Sequence, residues 1–70
     1  MKAQVGDTIR IIRMDDNNGK DIAAQKMNGV TATINYIDSI GQLHLYGYGF
    51  HPHGYGLAVN PDIDTVVILN

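Results

Sequence analysis

The chain has 70 residues and a formal charge of −2, with seven aspartates set against three lysines and two arginines, and with neither glutamate nor cysteine. That length allows one domain over residues 1–70, and the lack of cysteine excludes disulfides and thiolate-held metals and suits a reducing cytoplasm. A domain that grips phosphate backbones carries a basic excess, so this balance argues against nucleic acid as the main partner, although Arg10 and Arg13 lie close together.

A chain this short buries only about 60% of its unfolded surface, and such a core rarely supplies more than about 3–5 kcal/mol. Self-association, a histidine-bound metal or a well-made barrel would make up the difference. The start, Met1-Lys2-Ala3-Gln4-Val5-Gly6-Asp7, has no apolar run resembling a signal peptide, and no segment approaches membrane-spanning length. The expectation is a cytoplasmic protein, in the host cytoplasm if virus-encoded, with no membrane partner.

In chain order, Gly6-Asp7 reads as a turn and Thr8 to Met14 as a strand rich in β-branched residues. Ile9 and Ile11 share one face, Ile12 and Met14 the other, and the phase change at Ile11-Ile12 predicts either a β-bulge or a strand bent between two sheets. Asp15 to Lys20 is a loop by its turn chemistry, without the alternating ligands of a calcium loop. Asp21 is placed to cap a short helical turn over Ile22–Met27, stopped at Asn28-Gly29, with a plain loop as the alternative.

Val30 to Ile37 alternates, with Val30, Ala32, Ile34 and Tyr36 on one face and Thr31, Thr33 and Asn35 on the other. Asp38-Ser39-Ile40-Gly41 fits a type I turn. Setting Ile37 opposite Gln42 then pairs Tyr36 with Leu43, Ile34 with Leu45, Ala32 with Gly47 and Asn35 with His44, which puts Tyr36 in the core.

The stretch Tyr46-Gly47-Tyr48-Gly49-Phe50-His51-Pro52-His53-Gly54-Tyr55-Gly56 has the most distinctive composition. His51-Pro52-His53-Gly54 fits a turn with proline second and glycine fourth. Pairing across it sets Phe50 opposite Tyr55, Tyr48 opposite Leu57 and Tyr46 opposite Val59, with Gly49–Gly56 and Gly47–Ala58 on the other face. One face is then aromatic and aliphatic, and the other, the core side with Ala32, Gly47, Gly49, Gly56 and Ala58, is nearly bare backbone. Either a bulge near Gly47 or Gly49 turns the tyrosines into the core, or they form an exposed binding or self-association ridge. Asn60 to Asp64 is a turn started by Pro61, and Thr65 to Leu69 is the closing strand. The fold class is mainly β: a small five-stranded antiparallel SH3-like barrel with at most one short helical turn.

Val5-Gly6-Asp7 leading to Arg10 through Asp16, Gly29-Val30, Tyr36 through His44, Gly56 through Val59, and Asp64 before a final apolar strand together resemble an uncharacterised family of small SH3-like domains. Such domains are encoded largely by Gram-positive bacteria, their phages and mobile elements. The resemblance implies the fold and that setting, and carries no activity with it. This chain departs from the family by Lys26-Met27-Asn28-Gly29 in place of a proline-glycine turn, and by the long glycine-tyrosine hairpin where the family tends to carry a tryptophan.

The candidate ligand- or partner-binding residues are Tyr46, Gly47, Tyr48, Gly49, Phe50, His51, His53, Tyr55 and Gly56. Aromatic faces stack on planar groups, glycine N–H groups meet anionic oxygens, and histidines supply donors, a combination that suits a nucleotide-type molecule such as a host defence signal. His44 with His51 and His53 has no acidic residue or further histidine nearby in sequence to complete a metal site, so no metal or cofactor is expected. Ser39 is the sole serine and lies in a turn, and no catalytic signature is present, so the reading is a protein without enzymatic activity. Alternatives are a module that acts by homo-oligomerisation or by blocking a host protein, and then single-stranded nucleic-acid binding by tyrosine stacking.

Overall fold

The computed structural model describes residues 2–47 and 58–69. Five strands form one antiparallel sheet: β1 (Thr8–Arg13), β2 (Thr31–Ile37), β3 (Leu43–Leu45), β4 (Ala58–Val59) and β5 (Thr65–Ile68), with one short helix α1 (Ile22–Lys26) between the first two. Their order is β4-β3-β2-β1-β5, so the last strand returns beside the first and the described sheet is open between β4 and β5. This is the mainly-β, five-stranded antiparallel architecture expected from the pattern of β-branched runs and turns. Among the described residues, no helix is long and apolar enough to cross a membrane.

The expected bulge in β1 is present. Ile11 pairs with Val66 but Arg13 with Thr65, which leaves Ile12 as the extra residue. Ile9 and Ile11 are fully buried, Ile12 is 50% exposed, and Met14 is buried again beyond the bulge. The helix also forms where anticipated. The Asp21 carboxylate accepts from the Ala24 N–H at 3.0 Å, and Gly29 leaves the helical region at φ +86° while its N–H donates to Ile11. Ala24 and Met27 are thereby packed into a core shared with Ile9, Ile11, Met14, Ile34, Leu43, Leu45, Val59 and Val66. In the preceding loop both Asp16 oxygens are engaged, by the Gly19 N–H and by the Gln25 side chain, and these bonds hold its carboxyl below the usual carboxylate range.

Two registers differ from the sequence expectation. Ile34 faces Leu45 as anticipated, but Ile37 faces Leu43 and Tyr36 faces His44. Gly41, at φ +86°, adds a left-handed residue to the turn so that the Asp38 N–H reaches the Gln42 carbonyl. A bulge at Asn35 then restores the Ile34–Leu45 pair. Tyr36 consequently leaves the core face and is 48% exposed, whereas Ile37 packs against the core. The second change lies between β3 and β4, where Val59 faces Leu43 rather than Tyr46, and Ala58 faces His44 rather than Gly47. Strand β3 stops at Leu45, so Val59 reaches the core opposite a buried leucine.

Asp64 ties the chain's ends of loop together. It is buried, and its two oxygens accept from the Asp15 and Asn60 N–H groups, each at 2.7 Å. Removing it strands two amide donors, so Asp64→Ala is expected to lose about 3 kcal/mol of stability in urea denaturation. A loss too small to resolve would show that water replaces the carboxylate without cost.

Candidate functional site

The described site begins with the bulge. Because Asn35 is an extra residue in β2, Tyr36 and His44 come to stand side by side on the outer surface of the sheet. Their rings are stacked, with centroids 5.1 Å apart and planes inclined by 22°. His44 Nε2 lies 2.9 Å from Asp38 Oδ2, and since an ionised carboxylate only accepts, Nε2 carries the proton. The other carboxylate oxygen of Asp38 accepts from the N–H groups of Ile40 and Gln42, at 3.1 and 2.8 Å. Asp38 thus shapes the β2–β3 turn and orients the histidine together.

Asn35, Tyr36, Asp38 and His44 line an open cavity of about 300 Å³. Its walls offer the flat face of a tyrosine, an amide with both donor and acceptor, and a carboxylate pinned in place. The hydrogen bond from His44 is the main cause that holds the Asp38 carboxyl below the usual carboxylate range, with the Gln42 and Ile40 amides adding to it.

Of the residues singled out from sequence, Tyr46 is 61% exposed, which matches an outward tyrosine at the start of the aromatic stretch. Its N–H donates to the Thr33 carbonyl at 3.0 Å, which anchors it to β2. Gly47 is not a core-side residue as expected. It lies in an exposed turn at φ +82°, where among the described residues a Cβ would meet nothing within 4 Å, and the left-handed conformation favours glycine. Ala58, also placed on the core side, instead faces His44. Tyr48, Gly49, Phe50, His51, His53, Tyr55 and Gly56 lie outside the described residues, as does the turn read at His51-Pro52-His53-Gly54.

Of the three histidines weighed as metal ligands, His51 and His53 lie outside the described residues and His44 lies in β3. The partners of His44 include Asp38 and the Tyr36 ring, and among the described residues no group of three or more possible metal-binding side chains is assembled. Sequence reading treated Asp38 only as a turn former and Tyr36 only as core. The overlooked signal was the spacing Tyr36, Asp38, His44 across a tight turn, which brings an aromatic, a carboxylate and an imidazole to one hairpin. No protein-family model, no curated protein and no solved structure matches the chain.

The Asp38–His44 bond has a pH signature. A carboxyl whose folded pKa is depressed adds stability above its unfolded pKa, and that contribution is lost as the pH falls through the lowered value. Carbon-13 NMR titration of the side-chain carboxyls is expected to show the Asp38 midpoint moving upward, toward an ordinary aspartate, in His44→Ala. An Asp38 midpoint unchanged by that substitution would show that the turn amides alone set it.

Proposed function

We propose that this protein is a binding domain without enzymatic activity, which holds a planar, nucleotide-type ligand against the Tyr36–His44 surface. The observation that carries this reading is the stacked aromatic pair at a cavity of about 300 Å³, the lower end of the range of about 300–1,000 Å³ for small-molecule sites. A single heteroaromatic ring system stacks on Tyr36, and the Asn35 amide and Asp38 carboxylate read hydrogen-bonding groups on its edge. Phosphate groups, repelled by the Asp38 carboxylate, are directed away from this wall.

Binding is the reading taken because the stacked Tyr36 and His44 rings present a flat aromatic surface at this cavity. Sequestration of a host signal by a phage or mobile-element protein in the host cytoplasm is the biological setting we propose, and it rests only on the residues that resemble the SH3-like family.

The test is isothermal titration against a panel of nucleosides, nucleotides and cyclic dinucleotides. The expected outcome is saturable binding of at least one, weakened about tenfold or more in Tyr36→Ala and retained in Tyr36→Phe, since stacking on one ring is worth about 1–3 kcal/mol. No binding across the panel, or the same affinity in Tyr36→Ala, would reject the reading.

A further inference from the structure

Strand β5 ends the described sheet, with β1 as its one strand neighbour among the described residues. The Leu69 N–H donates to the Thr8 carbonyl at 2.8 Å. In an antiparallel ladder hydrogen-bonded and non-hydrogen-bonded pairs alternate, so the Arg10–Val67 pair is hydrogen-bonded and the pairs of Ile9 with Ile68 and Ile11 with Val66 are not. Val67 therefore aims its N–H and C=O at β1, and Val66 and Ile68 aim theirs at the open edge. The side chains alternate as well. Val66 is buried and Ile68 packs against the core, while Val67 and Leu69 are 42% and 45% exposed on the outer surface.

Edge strands are usually blunted by a charge, a proline or a bulge of their own. Thr65-Val66-Val67-Ile68-Leu69 has no charge and no proline, and the bulge in this pair lies on β1 at Ile12. We propose that β5 pairs with β5 of a second copy of this chain, antiparallel, about a two-fold axis through Val67.

Three constraints select that register. Facing residues must lie on the same side of the sheet, and the bonds must come from Val66 and Ile68. Centring on Val67 satisfies both, because Val66 faces Ile68 of the second copy and the symmetry gives four main-chain hydrogen bonds. It also pairs every residue from Thr65 to Leu69, with Val67 against Val67 and Thr65 against Leu69. A shift toward the start of the strand sets Ile68 opposite Asp64, whose N–H already donates to Asn60. The uncharged strand fits a copy of itself because no like charges meet along it. Five residues on each side make a contact below the size of standard interfaces, so the dimer forms in a concentration-dependent way.

The experiment is sedimentation equilibrium over a concentration series with wild type, Val67→Lys and Val67→Glu, each checked for native circular dichroism. Val67 is exposed, so both variants are expected to fold. On the axis, like charges face each other at about 4.5–5.5 Å between Cβ atoms. Wild type is expected to associate to a dimer as concentration rises, each variant to stay monomeric, and an equimolar mixture of the two variants to recover a dimer. A wild type monomeric throughout, or dimers of equal strength in both single variants, would overturn the proposal. So would a monomeric protein that takes up an added extended peptide of alternating threonine and valine.

Discussion

One extra residue in β2 decides where the aromatic surface of this protein lies. Without the bulge at Asn35, Tyr36 would follow Ile34 into the core by simple alternation. With it, the side-chain phase of β2 changes, Ile37 takes the core position and Tyr36 turns outward onto His44. The core does not suffer, because Ile34, Leu43 and Leu45 remain almost completely buried. A bulge thus moves a large aromatic from a packing role to a surface role while its aliphatic neighbours stay buried.

That displacement is fixed from the turn side by Asp38. One carboxylate oxygen holds the amides of Ile40 and Gln42, and the other holds His44 Nε2. Turn geometry, histidine orientation and the stacked tyrosine are therefore one coupled unit. The ligand we propose would meet a wall formed before it arrives, which reduces the ordering cost of binding. The β5 edge lies beyond β1 on the other flank of the sheet, so self-association there leaves the Tyr36–His44 wall exposed.

Local chemistry made much of the fold legible. The β-branched runs of β1, β2 and β5, the Asp21 cap, the Asn28-Gly29 stop and the bulge at Ile12 each have a short-range cause. The register of β2 against β3 was legible at Ile34 and Leu45 but not at Tyr36, because two one-residue offsets cancel between them. The left-handed Gly41 lengthens the turn by one residue, and the Asn35 bulge takes that residue back. Nothing in the alternation of Val30 to Tyr36 marks that event. Val59 was misplaced for a different reason: the tightest turn at His51-Pro52-His53-Gly54 sets a register three residues away from the one observed against β3. The described site was hidden by the β2–β3 offsets, since a tyrosine read as core and an aspartate read as turn do not suggest a binding wall.

The central claim is that the bulge carries Tyr36 out to His44. Nuclear Overhauser spectroscopy on the labelled protein tests it most directly. The account predicts cross-strand contacts of Ile34 with Leu45 and Tyr36 with His44, together with contacts between the Tyr36 and His44 ring protons. Backbone contacts that place Tyr36 opposite Leu43, with the Tyr36 ring contacting the methyl groups of the core, would contradict it.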